Sequence, residues 1–211
     1  MRAVLLILFT APLAASVIYS TGPSNLSGAS DMSGQILAED FTIATADDVT
    51  AVVFDLSATS FTPSSSSIGL AFFSDVSGGP GGILASATIS AAGATLTGNN
   101  VNGNNEWRVP LTLSSPLFLS AGTYWVALRD GAWGTALNKP EVDWNQTDFG
   151  IDSFAMATTL VTGASGWTST GVNLTFEIDG GLAPVPEPAT WLTAGLALGG
   201  LAAARLRAQC E

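Results

Sequence analysis

The chain has 211 residues, only 11% of them charged, and carries a net charge of −11. Between positions 17 and 183, fifteen acidic side chains face only Arg108, Arg129 and Lys139, a net of −12 that repels phosphate backbones and argues against a nucleic-acid partner. The absence of histidine excludes His-dependent triads and Cys–His zinc sites, and a lone cysteine, Cys210, excludes a disulfide framework.

Residues 1–16 read as a secretory signal peptide. Arg2 gives the positive start, residues 3–13 the apolar core, and Ala14-Ala15-Ser16 the small residues before a cleavage site at Val17. A diacylglycerol anchor needs a thiol where Ser16 stands, so this is not a lipoprotein.

Strand signals then recur through residues 17–183, with turn residues between them. Leu37, Phe41 and Ile43 share one parity, residues 49–56 are rich in β-branched side chains, and Ile68, Leu70 and Phe72 alternate. The Gly- and Pro-rich run 74–82 must turn, and residues 83–89 resume the strand pattern. Residues 99–105, six of them Asn or Gly, are expected to form the next loop. Trp107, Val109, Leu111 and Leu113 alternate after it, and Leu117 and Leu119 lead to a tight turn at Ala121-Gly122. Tyr124, Val126 and Leu128 then share a face. The last strand is the plainest: Val172, Leu174, Phe176 and Ile178 point one way, Asn173, Thr175 and Glu177 the other. No helical period occurs in this region, which predicts an all-β fold, an antiparallel β-sandwich of jelly-roll type.

Residues 184–188 make an extended proline linker, because Pro184, Pro186 and Pro188 fix φ and forbid helix before them. Residues 189–204 are sixteen uncharged positions, roughly 24 Å as a helix at about 1.5 Å per residue. That is short for a hydrocarbon core of about 30 Å, and the segment is rich in Gly and Ala. It reads as a marginal transmembrane helix, followed by a basic cytoplasmic tail at 205–211 with Arg205 and Arg207 on the inner flank.

Pro186-Glu187-Pro188, the short apolar helix and the Arg205/Arg207 pair together resemble the PEP-CTERM sorting signal. The resemblance implies export in a Gram-negative bacterium that makes exopolysaccharide, and recognition at the membrane by an exosortase that cuts near the Pro-Glu-Pro. A looser likeness joins Ala38-Glu39-Asp40-Phe41, Phe72-Phe73-Ser74-Asp75 and Ala121-Gly122-Thr123-Tyr124-Trp125-Val126 to secreted sandwich domains that precede surface-sorting signals. It supports the fold and names no activity.

Three loop tryptophans, Trp133, Trp144 and Trp167, are candidates for stacking on a glycan, since an indole face suits pyranose C–H groups. The alternative is that these rings extend the core. No cofactor is expected. Calcium would suit Asp47, Asp48, Asp75, Asp143, Asn145, Asp148 and Asp152, although solvated loop carboxylates give the same pattern. Nothing here marks a catalytic setting. The reading is of an exported, non-enzymatic surface or matrix protein, structural or adhesive, associated with exopolysaccharide. Its rivals are a carbohydrate-binding module and a surface glycoside hydrolase, whose carboxylate chemistry needs no histidine.

Overall fold

The computed structural model describes residues 16–135, 142–148, 154–160, 162–163 and 165–181. The chain divides into two units, 1–181 and 182–211, and the described residues all lie in the first. The expected proline linker at 184–188, the span at 189–204 and the tail at 205–211 therefore lie outside them, as do residues 1–15 of the expected signal. Among the described residues no helix is long and apolar enough to cross a membrane.

The strands in chain order are β1 (Ser16–Ser20), β2 (Ala29–Asp31), β3 (Ile36–Ile43), β4 (Asp47–Ala58), β5 (Ser67–Asp75), β6 (Pro80–Ser90) and β7 (Thr95–Val101). They continue as β8 (Asn104–Leu119), β9 (Gly122–Asp130), β10 (Val142–Thr147), β11 (Met156–Thr158), β12 (Thr168–Ser169), β13 (Asn173–Leu174) and β14 (Phe176–Gly181). All pairings are antiparallel and form two sheets. The first is organised around β4, which pairs along one edge with β8 and, beyond it, β7. Its other edge is shared end to end: β14, flanked by β1, lies opposite residues 48–54, and β10 lies opposite residues 56–58. The second sheet runs β12-β11-β3-β9-β5-β6. The described residues thus form an all-β, two-sheet antiparallel β-sandwich.

Period-two alternation explains the core. Val52, Phe54 and Leu56 of β4, Val109 and Leu111 of β8, and Phe176 and Ile178 of β14 face Leu37, Phe41, Leu70, Phe72, Val126 and Leu128 of the opposite sheet. Phe41 and Phe176 meet edge to face between the sheets, with centroids 6.1 Å apart at 78°. Each such fully buried side chain contributes roughly 1.5–3 kcal/mol.

Two expectations need correction. First, residues 99–105 are not a loop but the tip of the β7–β8 hairpin. Asn102 (φ 53°) and Gly103 (φ 86°) both occupy the left-handed region, which a two-residue type I′ turn demands. Second, Asp143, Trp144 and Asn145 belong to strand β10, because Val142, Asp143 and Trp144 ladder onto β4. In addition, the central strands β3, β9 and β5 of the second sheet are buried on both faces over most of their length. Ile36, Ala38, Ala71, Phe73, Trp125 and Ala127 form a second cluster on its outer side, against which Trp133, Met156 and Trp167 pack.

Candidate functional site

The three predicted stacking rings part company in the folded chain. Trp144 is fully buried in the inter-sheet core, 5.1 Å from Phe54 at 84°, and its Nε1–H donates to the carbonyl of Thr175 at 2.6 Å. Its faces are packed by protein, so it is a core ring and not a sugar platform. Trp133 and Trp167 are half-buried and converge on Phe73, at 6.2 Å and 5.6 Å, from two different loops. Trp167 is tethered by an Nε1–H bond to the carbonyl of Gly163 at 3.0 Å.

The carboxylates named for calcium are scattered, and among the described residues no group of three or more acidic, Cys or His side chains is placed to hold a metal. Asp75 accepts the Trp125 indole N–H at 2.8 Å, Asp148 accepts from Asn25 Nδ2 at 2.9 Å, and Asn145 donates to Glu106 at 2.9 Å. Asp152 lies outside the described residues.

The site that sequence reasoning missed is on the outer face of the first sheet. Register places Asp55 of β4 directly opposite Arg108 of β8, and Ser57 opposite Glu106. Arg108 bonds Asp55 Oδ1 at 3.4 Å and reaches over β4 to the carboxylate of Glu177 on β14. Glu106 is held from several sides. Its Oε2 accepts from Thr97 Oγ1 and Asn99 Nδ2, both at 2.7 Å, and its Oε1 accepts from Asn145 Nδ2. Thr97 and Asn99 can both reach it because β7 bulges: it advances four residues, Leu96 to Asn100, while β8 advances two, Trp107 to Asn105. Gly98, at φ 88°, supplies the left-handed residue of that bulge.

Above this floor Pro23, Ser24 and Leu26 of the N-terminal loop close one wall, leaving a hollow of about 320 Å³. The loop is pinned by the Asn25 N–H to the Gln146 carbonyl at 2.9 Å. The two buried carboxylates titrate apart. Burial pushes Asp55 up to about 6, with the Arg108 guanidinium opposing and Glu106 and Glu177 adding to the rise. Burial also raises Glu106, but hydrogen bonds from Asn99, Thr97, Ser24 and Asn145 together outweigh it and hold that carboxyl below its ordinary value. The hollow therefore presents a cation, an amide, hydroxyls, one carboxylate near its titration point and a small apolar wall. That mix suits a neutral, hydroxyl-rich ligand that can both donate and accept hydrogen bonds. The sequence signal was faint: Asp55 is some fifty residues from Glu106 and Arg108 in the chain, and only the β4–β8 register joins it to them.

No protein-family model matches the chain, and no curated protein matches it either.

Proposed function

We propose that this chain is an exported cell-surface or extracellular-matrix protein, structural or adhesive in role, that associates with exopolysaccharide through the hollow over Asp55, Glu106 and Arg108. The Pro186-Glu187-Pro188 motif, the uncharged segment 189–204 and the Arg205/Arg207 pair support delivery by a PEP-CTERM signal, with an exosortase as the processing partner. The strand order β1-β14-β4-β8 facing β3-β9-β5-β6 supports a jelly roll, since hairpin partners wind alternately between its two sheets. The observation that carries the binding role is the mixed lining of the 320 Å³ hollow, where Arg108, Asp55 and Asn99 line a space large enough for a sugar ring.

Retention of the purified protein on the producing bacterium's polysaccharide tests the reading. Replacing Arg108 by Gln together with Asn99 by Ala should abolish retention, whereas Trp133→Ala with Trp167→Ala should leave it intact. The reverse result would favour a carbohydrate-binding module built on the two tryptophans. Mature termini near Val17 and Glu187, read by mass spectrometry, test the sorting half independently.

A second reading, a surface glycoside hydrolase, is favoured by the divergent titration of Asp55 and Glu106. Against it, Glu106 has both oxygens engaged by Thr97, Asn99 and Asn145, which leaves it a positioning group for those side chains, not a free nucleophile or base. Reducing-end release lost on Asp55→Asn would overturn the non-catalytic reading.

A further inference from the structure

Residues 76–105 contain no charged side chain, in a domain whose net charge is −12. This thirty-residue stretch supplies both β6 and β7. Those are the outermost strands of the two sheets on one side of the sandwich, where β6 lies against β8. An edge strand exposes a row of unpaired N–H and C=O groups, and proteins that stay apart blunt such edges with charge, proline or strong bulges. Here Pro80 stands only at the first position of β6, and although β6 bulges against β5 at Leu84 and again between Pro80 and Ile83, its residues 85–90 pair in unbroken register and hold neither proline nor charge.

Apolar surface accompanies this edge, with which no other described strand pairs. Ile83 and Leu84 of β6 are 44% and 45% exposed, Leu96 of β7 56%, and Phe118 of β8 59%. Beside β6 runs a largely apolar groove of about 240 Å³, based on Leu70 and Phe72 and lined by Ala85, Ala87, Leu113 and Leu117, with Ser86, Ser114 and Ser115 also on its walls. It exists because residues 113–116 of β8 leave the β4 ladder, whose register jumps between Val49 opposite Leu117 and Ala51 opposite Thr112.

We propose that β6 pairs antiparallel with β6 of a second copy of this chain, extending the second sheet across two molecules. The occupant follows from charge. Two copies of an acidic domain repel each other over most of their surface and approach at least electrostatic cost where both carry none. An antiparallel pair of identical strands is its own complement under a two-fold axis, so no partner of opposite charge is needed. Main-chain hydrogen bonds supply the adhesion, and the groove seats an apolar side chain of the incoming strand.

The test is sedimentation velocity on the full-length protein, purified in mild detergent, from low to high micromolar concentration. The wild type should pass from monomer to dimer, and Leu84→Glu with Ser86→Glu should remain monomeric with an unchanged circular dichroism spectrum. Leu84→Thr with Ser86→Thr, which adds no charge, should dimerise as the wild type does. A wild type that stays monomeric throughout overturns the proposal, as does a charged variant that dimerises normally. Should the charged variant fail to fold, amide exchange on the wild type decides the matter. The β6 amides should gain protection with concentration, and exchange at β6 that is indifferent to concentration overturns the proposal.

Discussion

The backbone N–H of Leu174 donates to Oε2 of Glu39 at 2.6 Å, joining a strand of one sheet to a fully buried carboxyl of the other. Glu39 shares the inward parity of Leu37 and Phe41, so the sandwich core contains an acidic side chain between its sheets. Burial pushes its pKa up to about 9, against the lowering influence of the Leu174 amide, and the neighbouring Asp40 adds to the rise. At neutral pH the group is an uncharged acid acting as a hydrogen-bond acceptor.

This fixes a pH dependence. The folded pKa of about 9 lies above the ordinary 4.5, so the stability the group contributes is complete below about 4.5 and is lost as pH rises from there to about 9. Urea midpoints of the wild type should fall across that window. Glu39→Gln, which keeps a neutral acceptor, should flatten the slope and be the more stable form at pH 8. A wild type that gains stability over that window would contradict the assignment.

Trp144→Ala should destabilise the domain by about 3–5 kcal/mol, as expected when a large ring is removed from a packed core. Trp133→Ala and Trp167→Ala, acting on half-buried rings, should each cost less. Denaturant titration followed by circular dichroism would rank the three. A Trp144 variant as stable as the wild type would remove that ring from the core.

The acidic groups of the hollow should be separable by carboxyl NMR. Asp55 should titrate near 6 and Glu106 below the ordinary glutamate value. Arg108→Gln should move Asp55 further up, because the guanidinium is the chief influence holding it down against burial. A downward move would show that the Arg108–Asp55 contact is not the one acting in solution.

Glu106→Ala should destabilise by about 2–3 kcal/mol, because Thr97, Asn99 and Asn145 all lose their shared acceptor. Glu106→Gln, which keeps one carbonyl oxygen, should cost less. As its folded pKa is lowered, the contribution of Glu106 is present above the ordinary glutamate value and is lost as pH falls through the folded one. Equal thermal stability of the alanine variant and the wild type would contradict the network.

Much of the fold could be read from the alternation of apolar residues. The parity of Leu37, Phe41 and Ile43, of Tyr124, Val126 and Leu128, and of Leu174, Phe176 and Ile178 is the inward parity of the sandwich. The second sheet hid its other face because Ala38, Ala71 and Ala127 are small and weakly apolar, and they are buried only when Trp133, Met156 and Trp167 fold over them. The hairpin tip at Asn102-Gly103 is not legible in the sequence because Asn and Gly mark loops and type I′ turns alike, and only the pairing of Val101 with Asn104 distinguishes the two.

By itself the sequence determined an acidic, histidine-free chain with an all-β domain and the inward parity of that domain's strongest strands, because composition and period-two alternation are local properties. Tertiary structure alone decided that Trp144 is core, that Glu39 is a buried neutral acid, and that Asp55, Glu106 and Arg108 share one hollow. Those outcomes depend on register between strands distant in the chain, and a shift of one residue would turn every one of these side chains to the opposite face.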